Sequence, residues 1–147
     1  MLQRFTVFFI VLTLSASAYA HENQKNPEIR YRHFIMESLS NQFAAMGLIL
    51  QAKVDRPAEM VTNARAAAVN ARLIAGLFPD NSKGAKALPL IWEEPDKVAA
   101  ASELAVDTLD ALVIAAESGD RGEIARAFKA AGDSCSGCHE RYKEADD

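Results

Sequence analysis

Alanine is the residue that most narrows what this sequence can fold into. Residues 21–147 hold 24 alanines against 15 valines, isoleucines and threonines combined. Alanine loses no side-chain entropy on entering a helix, whereas β-branched residues favour strands. The bias points to an all-α chain, and its punctuation divides it into four helices. The first is expected from about Pro27 to Lys53, with Asn26 as cap, Pro27 at the first helical position and Glu28 facing the positive end of the dipole. Ile29, Met36, Phe43 and Leu50 recur every seven residues, with Leu39 and Met46 between them, which is the seam of a bundle helix.

The second helix is expected from near Pro57, just after Asp55, to Phe78-Pro79. Its stripe of Met60, Ala64, Ala67, Ala71, Ile74 and Phe78 has small members that permit close helix approach. The third should run from Asp96 to Ser118-Gly119, and the fourth from Asp120, with Glu123 completing a capping box, to about Glu144. Short links make neighbours antiparallel, so the expected architecture is an antiparallel four-helix bundle. The connection from Asp80 to Pro95 carries Leu88, Leu90, Ile91 and the only tryptophan, Trp92. A loop this apolar should be packed down.

Ahead of the bundle, Arg4 in a short basic start, an apolar run from Phe5 to Leu14 and Ala18-Tyr-Ala20 have the layout of a cleavable secretory signal over residues 1–20. The apolar run is too short to span a bilayer, and no later stretch approaches that length, so the product is expected to be exported and not membrane-embedded. Residues 21–147 then form one domain with 15 Lys and Arg against 20 Asp and Glu. That acidic balance argues against nucleic acid and suggests partners with basic docking patches. His21 would become the new N-terminus; an amine and an imidazole together can chelate copper(II), although such a residue is ordinarily a frayed end.

The two cysteines would by default form a disulfide in an exported protein, but their spacing suggests otherwise. Cys135-Ser-Gly-Cys138-His139 has the form of a c-type haem attachment site, falling within the fourth helix. Cysteines three apart on a helix share a face, so both sulfurs can reach vinyl groups on one porphyrin edge. The adjacent histidine can then present a neutral nitrogen to the iron. The stripe Ile124, Phe128, Ala131, Cys135, Cys138, Tyr142 puts both sulfurs on the core side. A redox-active Cys-x-x-Cys sits instead at a helix N-terminus in a βαβ pattern, zinc needs more ligands, and a disulfide within a helix is strained.

On these residues the chain resembles the class II c-type cytochromes, the cytochrome c prime group. The first helix has Tyr31-Arg32-His33-Phe34-Ile35-Met36, then Asn41-Gln42-Phe43 and Met46; the connection has Ile91-Trp92; the last helix has the haem motif followed by Glu140-Arg141-Tyr142-Lys143. The resemblance covers the whole of residues 21–147. It implies a left-handed antiparallel bundle with one covalent haem c, thioethers at Cys135 and Cys138, and His139 as proximal iron ligand. In low-spin, cytochrome c-556-like members a methionine of the first helix is the distal ligand, and the matching residue is Met36; in high-spin members an apolar residue there only blocks the iron.

Methionine on an apolar seam is ordinarily core filling, and Met46 shares that seam. His33 is read as a rim side chain. The resemblance also implies Arg32 near a haem propionate and burial of the ring by Phe43, Phe128, Trp92 and Tyr142. Lys143 stands where many high-spin members carry arginine, which weakens the case for gas chemistry on the proximal side. The resulting expectation is a periplasmic electron carrier serving redox partner proteins, with nitric oxide or other gas binding as the alternative. Members of the group occur as antiparallel dimers through the first two helices; the alanines of the second would serve such a homodimer or packing within the chain equally well, and enzymatic turnover is not expected.

Overall fold

The computed structural model describes residues 26–145; the expected signal over residues 1–20, and His21, lie outside them. Four long helices make the bundle: α1 (Pro27–Leu50), α2 (Glu59–Ala71), α3 (Pro95–Ser118) and α4 (Arg121–Tyr142). The α2–α3 connection contains 3-10 turns at Ile74–Gly76 and Asp80–Ser82 and a single helical turn, Leu90–Glu93. Among the described residues the β pairing is confined to isolated bridges, Gly84 with Ala87 and Ala87 with Lys143.

The helix ends follow their local chemistry. Asn26 Oδ1 accepts from the Glu28 N–H at 2.9 Å and caps α1. Asp120 Oδ1 accepts from the Glu123 N–H at 2.8 Å and caps α4, but the expected capping box is only half made: the Glu123 carboxylate accepts from Ser118 Oγ at 3.0 Å instead. Gly119, at φ 73°, ends α3 in the left-handed conformation. Two helices stop earlier than their patterns suggest. After Leu50 the chain turns left-handed at Ala52, φ 54°, and the Lys53 N–H reaches back to Leu48 O at 3.0 Å. Beyond Ala71 the second helix tightens into its 3-10 turn, which carries Leu77 inward to 3% exposure.

Met46, Ala64, Ala67, Leu112 and Ala131 have no exposure and form the centre of the main core. The small side chains of α2 let it lie close to both neighbours, so α1 packs on α2, α2 on α3 and α3 on α4. The backbones of α4 and α1 lack the close approach seen in those three seams. One end of this fourth seam is filled by Phe43 against Phe128, ring centroids 5.1 Å apart, and tied by Arg121 Nη2 donating to Leu50 O at 2.9 Å. A second cluster of Ile91, Val98 and Tyr142, with Trp92, Phe78 and Cys138 packed on it, sits at the opposite end. The apolar connection is thus packed down, as its composition suggests.

Close approach through α2 predicts sensitivity to added bulk. Ala67→Leu should lower the stability of the haem-loaded protein by about 1–3 kcal/mol. Ala125→Leu, at an exposed position of α4, should change it by less than about 0.5 kcal/mol. Urea denaturation of both variants checks this, and equal midpoints would contradict the packing described.

Candidate functional site

The last two turns of α4 carry the thiols. Cys135 and Cys138 are both half-buried and unbridged. Burial pushes the Cys135 thiol above its ordinary pKa; Cys138 is raised first by burial and then by Cys135 beside it. Both lie near the negative end of the helix dipole, which also disfavours a thiolate. A nucleophilic thiol pair needs the opposite environment, so this site does not support thiol–disulfide chemistry.

His139 follows on the exposed side of the same turn and lines a cavity of about 690 Å³ at the open end of the α1–α4 seam. Across the cavity α1 contributes Ile29, Arg32 and Met36, and the connection adds Phe78 and Ile91. Cys138 and Tyr142 complete the α4 wall. The volume lies within the usual range of cofactor sites. The donor set, two thiols and an imidazole on one helix with a thioether on the facing one, fits haem c.

Five of the residues singled out from sequence therefore meet here: Met36, Arg32, Cys138, His139 and Tyr142. Cys135 lies one turn back along α4, outside the cavity wall. Phe43 and Phe128 pair beside the main core. Trp92 stands behind the wall, where Nε1 donates to Phe78 O at 2.9 Å and Pro79 O at 3.2 Å. Of the four aromatics expected to bury a ring, only Tyr142 lines the cavity. Met46 is wholly core. His33 is at the rim, its side chain 69% exposed and 3.7 Å from Glu37.

Arg32 is only 7% exposed. Its Nη1 donates to Ser82 O and Ser82 Oγ, both at 2.9 Å, and its Nη2 to Gly84 O at 3.0 Å. The guanidinium also lies over the rings of Phe78, 5.3 Å from the centroid, and Trp92, 5.8 Å. Burial lowers its pKa, though an arginine remains charged. Arg32 thus fastens the connection to α1, which composition could not disclose.

Sequence reasoning missed a second fastening. Glu94, the residue before α3, accepts from Arg141 Nε at 2.7 Å, Arg141 Nη2 at 2.6 Å, Lys97 Nζ at 2.8 Å and the Tyr142 hydroxyl at 2.8 Å. Arg141, then Lys97 and Tyr142, hold its carboxyl far below the usual carboxylate range. The Leu88 N–H donates to Tyr142 O and the Glu144 N–H to Lys86 O, each at 2.9 Å. The turn that presents His139 is therefore held from both sides of the connection. A glutamate before Pro95 is visible as a helix-start signal, but its partners 47 and 48 residues away are not.

The family described as Cytochrome C′ matches this chain over residues 27–143. A cytochrome c′ of Rhodospirillum rubrum is 25% identical over 145 residues, spanning 97% of this chain and 99% of that protein. A cytochrome c-556 of Agrobacterium tumefaciens is 29% identical over 119 residues, covering 79% and 96%. Among solved structures, the nitric oxide complex of a mutant cytochrome c prime of Alcaligenes xylosoxidans superposes with a TM-score of 0.76 at 22% identity, over 81% of this chain and 94% of that one.

Glu94 makes a pH-dependent contribution of defined sign. Its folded pKa is depressed, so its stabilisation is complete above the unfolded value of about 4.3 and fades as pH falls from there toward the folded value. Glu94→Gln should therefore destabilise the haem-loaded protein by a constant amount between about pH 5 and pH 7, with the deficit shrinking below about pH 4. Urea midpoints measured across that range test this; a deficit that grew on acidification would refute the assignment.

Proposed function

Because the chain belongs to the cytochrome c′ family, whose members hold haem c covalently, we propose that it is a periplasmic electron-transfer protein whose haem iron His139 and Met36 would both bind. The observation that carries this reading is that Met36 lines the same cavity as Cys138 and His139, from the facing helix, while Met46 is fully enclosed in the core. When bound, haem supplies an iron that gains and loses one electron. Cys135 and Cys138 hold it by thioethers, and His139 offers the proximal nitrogen. Met36 offers a soft sulfur that favours the ferrous state and raises the potential. Ile29, Phe78 and Ile91 keep water from the ring.

The leader expected over residues 1–20 supports export. No helix among the described residues is long and apolar enough to cross a membrane. Exposed Tyr31 and Phe34 on α1, with Val69 on α2 and Leu73 just beyond its end, support a homodimer through these two helices.

A second reading has its own support: variants of the Alcaligenes xylosoxidans cytochrome c prime are known with nitric oxide bound. In that reading Met36 would shield the haem iron without binding it, and the protein would sequester nitric oxide or a similar gas. Spectra of the purified holoprotein separate the two. Ligation by Met36 should give low-spin bands, a sulfur-to-iron charge-transfer feature and inertness to CO, whereas a high-spin spectrum with ready CO uptake favours gas binding. Met36→Leu should convert the first behaviour into the second, and an unaltered spectrum in that variant rules out ligation by Met36. Replacing Cys135 and Cys138 together by Ser should make the haem extractable with acidified acetone; haem retained through that extraction would dismiss both thioethers.

A further inference from the structure

We propose that Glu94 is a positioning residue for the haem iron: it fixes the turn of α4 that carries His139 and so sets the direction in which the imidazole meets the metal. The proposal rests on the reading of His139 as proximal ligand and names a residue of another element on which that ligand depends. His139 occupies a weak place in its helix. Tyr142 is the last residue of α4, so the imidazole projects from the final turn, where carbonyl groups run out of intrahelical partners and helices fray. Of the last four helical residues only Tyr142 is buried. Cys135 and Cys138 can restrain His139 only from the upstream side.

Glu94 restrains the turn from downstream, at two points. Its Oε2 accepts from Arg141 Nε at 2.7 Å and from the Tyr142 hydroxyl at 2.8 Å, and its Oε1 accepts from Arg141 Nη2 at 2.6 Å. Both carboxylate oxygens thus meet the guanidinium fork, the geometry in which an ion pair is directional as well as strong. The Arg141 guanidinium also lies 5.7 Å from the centre of the Tyr142 ring, which closes the three side chains into one unit. Arg141 and Tyr142 are successive residues, about 100° apart around the helix, so the two ties resist rotation of the turn as well as unwinding. Tyr142 and His139, three apart, both line the cavity. Rotation of this turn would therefore swing the imidazole.

The backbone of Glu94 is itself held, which makes it a fixed point. Its N–H donates to Leu90 O and its carbonyl accepts from the Val98 N–H, each at 3.1 Å. Pro95 follows, with its restricted φ. Lys97 Nζ donates to Oε1 at 2.8 Å and steadies the carboxylate from within α3. The Glu94 side chain is 18% exposed, whereas Asp110 and Glu117, which pair α3 with α2, are 43% and 46% exposed.

Charge and position give opposite expectations for two substitutions. Glu94→Gln removes a negative charge and Arg141→Gln a positive one. Acting through charge alone, the first would favour the ferrous state and the second the ferric. Acting through position, both loosen the imidazole and weaken its donation to the iron. At a fixed potential the ferrous-to-ferric ratio of the haem-loaded protein should then rise about three- to tenfold in each variant. The double variant, which restores the net charge, should keep the shift. Haem methyl proton resonances, whose spread follows the imidazole plane, should move in all three. Glu117→Gln breaks the exposed pair with Arg65 at 2.6 Å and should leave both readouts unchanged.

Any other pattern in the ratios, opposite shifts in the single variants above all, or methyl resonances that stay in place, would overturn the positioning role alone. Electron–nuclear double resonance of the unaltered protein should show an imidazole nitrogen coupled to the iron; its absence would overturn the reading of His139 and the proposal with it.

Discussion

The separation of α1 from α4 governs the rest of this structure, and Phe43 against Phe128 holds it. Two phenyl rings 5.1 Å apart at their centroids need more room than the alanines that line the α2 seams. An aromatic pair of this kind contributes about 0.5–1.5 kcal/mol beyond the area it buries. Its larger consequence is geometric. With one end of the seam propped and tied, the other opens into a space of about 690 Å³ faced by Met36 and His139. A bundle of this length closed on all four seams would have a better core and no cofactor site.

An open seam needs a side wall, and an irregular connection must be held to provide one. Two charged residues do most of the holding, in different ways. Arg32 is buried among carbonyl oxygens and aromatic faces, where its fork of donors meets backbone groups that the loop leaves unpaired. Glu94 stays nearer the surface and gathers three partners, two of them in the turn after His139. The contacts that hold the connection over the cavity therefore also set the end of the helix that carries His139. Mutations in the connection should be read with that double role in mind.

Much of this was legible in the residues. The alanine bias and the seven-residue recurrence through Met36 and Phe43 depend on local propensity and helical period, which act within a few residues. So do Asn26 and Asp120 as caps. The haem motif was legible because Cys135, Cys138 and His139 fall within five consecutive residues of one helix. Less legible were the helix ends at Leu50 and Ala71, where competing turn geometry won. Trp92 was read as a ring-burying residue on resemblance; its indole instead braces the loop backbone from behind the wall.

The sequence by itself determined an all-α bundle, the Cys-x-x-Cys-His motif of a haem c protein at Cys135, Cys138 and His139, and a methionine on the facing seam. Each depends on neighbours in the chain, where spacing and propensity suffice. Only the tertiary structure decided which methionine faces the cavity, Met36 rather than Met46, and how Arg32 and Glu94 fasten the connection. Ser82 and Gly84 lie 50 and 52 residues from Arg32, and Arg141 lies 47 from Glu94, so neither fastening leaves a trace in local spacing. Spacing and propensity act within a helix, whereas packing joins residues that the sequence keeps far apart.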